Sequence, residues 1–136
     1  MAILLQKQYG RIVTESVSSL EKRLSSVITR LNESIEAEIN KKKVGIVKGQ
    51  LEELMDIANS ANLNSIVGDS FKTTLLLADA LENEDTDKLP TIVGSLASHL
   101  GYDVDESDPR RALMDISLQM KRGLSPKVKA LLEEVL

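Results

Sequence analysis

Apolar residues step along the first third of the chain at helix spacing. Val13, Val17, Leu20, Leu24, Val27 and Leu31 are separated by 4, 3, 4, 3 and 4 positions, and Ile35 and Ile39 follow at intervals of four. Ser, Glu, Lys, Arg and Asn fill the positions between. This period predicts one amphipathic helix over about 11–40. At 1.5 Å per residue it is ~43 Å long, more than the width of a compact domain of this size, so something must cover the overhang. A two-stranded coiled coil would put Val17, Leu24 and Leu31 at a, and Leu20 and Val27 at d. Its e and g positions then hold Ser16, Glu21, Arg23, Ile28 and Arg30, whose charges pair poorly. Ile28 and Ile35 also widen the stripe beyond a two-position seam. The pattern favours a helix of a multi-helix bundle, formed within or between chains.

The rest of the chain reads as shorter helices. Gly45 and Gly49 each weaken a helix by about 1 kcal/mol relative to alanine, so a bend is expected in Lys41–Gly49. A second helix over about 47–59 carries Val47, Leu51, Leu54, Met55 and Ala58, and Asn59–Ser65 has the composition of a loop. Asp69 or Ser70 is the expected cap of a third helix, about 69–82, which is apolar almost all round from Leu75 to Ala78. After the acidic stretch Glu82–Asp87, Pro90 suits the first turn of a fourth helix, about 89–100, closed by Gly101. Asp108-Pro109 opens a fifth over about 109–122. Ser125-Pro126 opens the last, about 126–136, by the same device. No strand, repeat or low-complexity tract intervenes. The expectation is an all-α bundle of about five to six helices in a single domain, 1–136.

Composition narrows the chemistry. The 136 residues are 42% hydrophobic and 28% charged, with one histidine and neither cysteine nor tryptophan. Without cysteine there is no disulfide framework, zinc cluster or thiol chemistry. No apolar run approaches the ~20 residues that span a bilayer, and Ala2–Leu5 meets Gln6 and Lys7 too soon for a signal-peptide core. A cytoplasmic chain with no membrane partner is expected. Ala2–Leu5 is either a docking extension or the first turn of the bundle.

One histidine cannot build the usual triads or a transition-metal site. His99 suits the carboxyl end of the fourth helix whatever its function. Ser19 and Lys22 have S-x-x-K spacing but lack the partner motifs that would give it meaning. Asp103, Asp105, Glu106 and Asp108 could converge on a hard cation, yet the glycine and glutamate of an EF-hand are missing. No phosphate-cradling glycine motif is present. No catalytic residue, metal, cofactor or small-molecule substrate is therefore expected.

Charge is segregated. Residues 1–49 carry a net +4, residues 50–109 a net −11 and residues 110–136 a net +3. The ends can fold back over the middle, or one copy can meet another. The expected function is a non-enzymatic interaction or assembly protein, a homo-oligomer or a small subunit of a larger complex. Its expected oligomer interface is Val13, Val17, Leu20, Leu24, Val27, Ile28, Leu31 and Ile35. The alternative is a nucleic-acid accessory protein that contacts phosphates through Lys41, Lys42, Lys43, Arg110, Arg111, Lys121 and Arg122. A helix-turn-helix at Leu118–Leu132 is a narrower form of it. With only Tyr9, Phe71 and Tyr102 aromatic, no base-stacking platform is evident.

Overall fold

The computed structural model describes residues 2–35 and 38–135. Residues 36, 37 and 136, which fall in the expected first and last helices, lie outside the described residues, as do the side chains of Ala2–Tyr9, the expected Ala2–Leu5 extension among them, and of Val135. Six α-helices are present: α1 Ala2–Glu33, α2 Lys41–Ser60, α3 Asn64–Glu82, α4 Leu89–Leu100, α5 Pro109–Arg122 and α6 Pro126–Val135. A 3-10 turn, Thr86–Lys88, leads into α4. There is no strand among the described residues, and a helical bundle is the architecture.

α1 starts earlier and stops sooner than its apolar period suggests. It ends where Ser34 turns its hydroxyl back onto the Leu31 carbonyl at 2.6 Å. Ile35 and Ile39, expected to extend the helix, form an isolated antiparallel bridge instead and pack half-buried on the core. Asn40 then caps α2 by accepting from the Lys43 amide at 3.1 Å. From that cap α2 continues unbroken through both glycines, which are exposed, so Lys41–Gly49 does not interrupt the helix and α2 starts at Lys41, ahead of the expected 47. A side-chain cap meets up to one kcal/mol or so of the unpaired amides at a helix start, enough to carry weak formers behind it.

The third helix also begins before its expected cap. Asn62 takes a left-handed conformation (φ 58°), and the Leu63 amide bonds back to the Ala58 carbonyl at 2.8 Å. Such a turn closes α2 and lets α3 start at Asn64. Asp69 is therefore an exposed mid-helix residue, and Ser70 is buried with its hydroxyl on the Val67 carbonyl. The same closure recurs at Glu84 (φ 57°) after α3 and at Gly101 (φ 85°) after α4. α3 is the most buried helix, with eleven of its nineteen residues enclosed, although Leu76 faces solvent. α4 and α5 have their expected bounds, and Asp108 caps α5 at the Arg111 amide.

α1 lies between α5 and α2, with α3 and α4 across the core and α6 against α3 and α4. α1 and α5 run antiparallel: Asn32 donates to the Arg110 carbonyl at one end, and Ser125 reaches Glu21 at the other. α1 and α2 are antiparallel as well, joined by Arg30–Gln50 at 2.7 Å and Lys43–Glu33 at 3.3 Å. The segment between α4 and α5 returns along α4, with the Glu106 carboxylate over Gly94, where a Cβ would collide with it. The placement of α6 corrects the helix-turn-helix reading. α6 leaves α5 to lie on α3 and α4, and Leu118 is exposed where such a unit needs an apolar contact.

Candidate functional site

The chain's own core absorbs the α1 stripe. Val17, Leu20, Leu24, Val27, Ile28 and Leu31 are buried against α2, α3 and α5, and Val13 and Ile35 pack partly buried on the same core. Helices of the same chain cover the six buried ones, and Val13 and Ile35 keep part of their surface.

The basic groups separate in the same way. Lys41 pairs with Glu84 at 3.7 Å and Lys43 with Glu33 at 3.3 Å. Lys48 lies 2.6 Å from Asp79 and 3.3 Å from Glu82, and these carboxylates hold its ammonium above the usual lysine range. Lys41 and Lys48 thus meet the acidic middle of the chain, while Lys43 pairs within the first block. Arg110 and Arg111 sit at the start of α5 and Lys121 and Arg122 at its end, ~16 Å apart at the helical rise. Among the described residues, none of these four forms an ion pair. They flank Met114 and Leu118, which are exposed one turn apart on the same helix.

The acidic segments are tied into turns. Asp105 accepts from the Ser107 hydroxyl and amide, which holds its carboxyl below the usual range. Among the described residues no group of three or more His, Asp or Glu gathers in a metal-holding arrangement. His99 is half-buried in the last turn of α4, and Ser19 and Lys22 are exposed on α1.

Two features escape the apolar periodicity. One is a groove between α1 and α2, made of three adjoining depressions of about 450, 270 and 380 Å³. Arg30 borders the first two and Arg23 the last two. Its α1 wall is low because Ser16, Ser19 and Ser26 line it. Exposed isoleucines stand at both ends, with Ile46 (60% exposed) at one and Ile12 (61%) and Ile57 (42%) at the other. Between them lie Arg23, Arg30, Gln50 and Glu53. The signal for this surface is in the sequence: Ile46 and Ile57 fall off the Val44, Val47, Leu51, Leu54, Ala58 stripe that α2 buries.

The other feature is polar and enclosed. Glu21, only 2% exposed, accepts from the Ser125 hydroxyl at 2.9 Å and the Ser125 amide at 3.3 Å. Ser125 was expected to cap α6 with its side chain, but that hydroxyl turns to Glu21 instead. The second Glu21 oxygen and the Tyr102 hydroxyl are both buried without a hydrogen-bond partner. Burial raises the Glu21 carboxyl above its ordinary value, against the lowering effect of the Ser125 bonds. Burial and the Glu21 charge push the Tyr102 phenol to about 12. None of the depressions described above reaches these groups, so they join α1, the segment after α4 and the start of α6 and present no reacting atom to solvent. A glutamate beside Leu20 on an amphipathic helix looks like an ordinary flanking residue, and it is buried where α5 and the turn at Ser125 arrive on that side.

Set against known proteins, the chain matches no family model, no curated relative and no solved structure. Among the described residues no helix is long and apolar enough to cross a membrane.

Proposed function

We propose that this chain is a non-enzymatic contact protein that docks along the groove between α1 and α2. The observation that carries this reading is the placement of exposed apolar side chains. Of the six large ones on the described surface, Ile12, Ile46 and Ile57 stand along this one groove. Isolated surface apolar groups are ordinary, whereas aligned ones beside a groove favour a partner. The test is the size of the complex that holds the chain in an extract of cells producing it. The chain should elute well above 14.9 kDa, and Ile57→Asp should return it to the monomer position. A wild-type chain that elutes as a monomer in extract would sink the reading.

A second reading keeps nucleic acid as the partner, now confined to α5. It is favoured by the four basic side chains there, which form no ion pair among the described residues. It predicts a gel shift at low salt that fades steeply as salt rises and that Arg111→Glu with Arg122→Glu removes. No shift at the lowest salt removes it.

A further inference from the structure

We propose that the outer face of α5 docks an acidic amphipathic helix of another protein. This surface is separate from the α1–α2 groove. Arg111, Met114, Leu118 and Lys121 follow one another at spacings of 3, 4 and 3, and all four are exposed. At 3.6 residues per turn they form one line along α5, the kind of seam by which a second helix packs. Its two inner layers are apolar, with Met114 50% and Leu118 47% exposed, and its two outer layers are cationic. Arg110 and Arg122 stand on opposite sides of the seam, each roughly 60° from its midline. None of the four cations is in an ion pair among the described residues. The Asp105 carboxyl, held down mainly by its Ser107 bonds, also feels Arg111, though from beyond ion-pair distance.

A helix that fits this seam has the complementary chemistry. It carries two apolar side chains four positions apart, a carboxylate three positions beyond each, and further carboxylates beside them. The order of spacings reads the same from either end, so parallel and antiparallel partners meet it alike. The apolar pair supplies attraction, while the charges set the register and reject partners of the wrong sign. The α5 helix of a second copy is one of those rejected. Arg111 would meet Lys121 if the two helices ran antiparallel, and would meet itself if they ran parallel.

The same cations carry the nucleic-acid reading, and the apolar layers between them decide against it. Phosphates gain nothing from Met114 and Leu118, and α5 has no aromatic residue on which a base would stack. An anionic bilayer rewards a broad apolar face. α5 offers two apolar side chains one turn apart, with Asp115 exposed beside them. From Arg111 to Lys121 the seam is ~15 Å long. That is short of a standard interface, so the complex is weak, with a Kd in the range of ~10–100 μM.

The experiment is fluorescence anisotropy of a labelled synthetic peptide titrated with the purified full chain up to ~1 mM. The peptide has about three heptads, with leucine at the inner seam layers, glutamate at the outer layers and beside them, and alanine elsewhere. It should bind, and a scrambled peptide of the same composition should bind at least about tenfold more weakly. Met114→Ala with Leu118→Ala, which keeps good helix formers in α5, should weaken binding by at least about tenfold. Arg111→Glu with Lys121→Glu should do the same, and a peptide with lysine at the outer layers should bind that variant to within a few-fold of the original pair. Circular dichroism confirms that each variant is folded. No binding of the patterned peptide at ~1 mM overturns the proposal. Equal binding of the scrambled peptide overturns it, as does a charge-exchanged pair that fails to recover. Duplex DNA or anionic phospholipid vesicles that bind α5 more tightly than the peptide overturn it in favour of a phosphate surface. Loss of peptide binding through Ile57→Asp in place of the α5 variants overturns it too, by moving the contact to the groove, and leaves the contact reading above standing.

Discussion

Replacing Gly45 and Gly49 by alanine separates a continuous α2 from a bent one. Both glycines lie inside the helix, and a Cβ built at either meets nothing within 4 Å. Alanine there gains no contact and suffers no clash, so the effect reduces to backbone freedom. Glycine is about 0.8–1.0 kcal/mol less favourable than alanine in a helix interior, largely because the unfolded chain has more conformations to lose. The double variant G45A/G49A should thus be more stable by about 1.6–2 kcal/mol. For a chain of this length that corresponds to roughly 6–8 °C in Tm. Gly101→Ala is the opposing control. Gly101 sits at φ 85°, and a Cβ would come 3.0 Å from the Lys127 amide nitrogen and 3.3 Å from the Pro126 Cβ. It should lose about 1–2 kcal/mol. Urea and thermal unfolding followed by circular dichroism measure both. A double variant that is no more stable than wild type, or less stable, would refute the reasoning and require a bend at Lys41–Gly49.

Two further outcomes follow from the core and from its buried carboxylate. Leu24→Ala should cost about 2–5 kcal/mol in urea unfolding, and a loss well below that range would mean that the chain's own helices do not enclose the α1 stripe. Glu21 has its folded-state pKa above the unfolded value, so its contribution to stability is complete below pH ~4.5 and is lost as pH rises through the folded value. Glu21→Gln keeps an acceptor for Ser125 and carries no titration, so its stability relative to wild type should climb with pH across that window. Parallel pH profiles of the two proteins would refute the burial of an ionisable Glu21.

Local chemistry made some elements legible before any tertiary contact. Asp108-Pro109, Pro90 and Gly101 mark helix boundaries through fixed φ, a missing donor or a tolerated left-handed turn, and α4 and α5 lie where those residues put them. The starts of α2 and α3 were harder. Asn40 and the Asn62 turn act through single hydrogen bonds, and neither changes the apolar period around it. Gly45, Gly49 and Asp69 were louder signals that the neighbouring structure overrode.

The candidate site divides along the same line. Periodicity identified Leu24, Ile28 and Leu31 as positions that must be covered, and they are. It could not say by what, because an apolar stripe has the same pattern whether the covering helix belongs to its own chain or to another. That choice was made by α5 returning antiparallel along α1 and by Lys48 meeting Asp79 and Glu82 across α2 and α3. Once the stripe was enclosed, the surface left for a partner was set by residues off the period, Ile12, Ile46 and Ile57. The sequence by itself determined that this chain is helical and which faces are apolar, since both follow from spacing within one helix. Only the tertiary structure decided which of those faces remain exposed and that Glu21 is buried, since burial depends on what residues distant in sequence bring alongside.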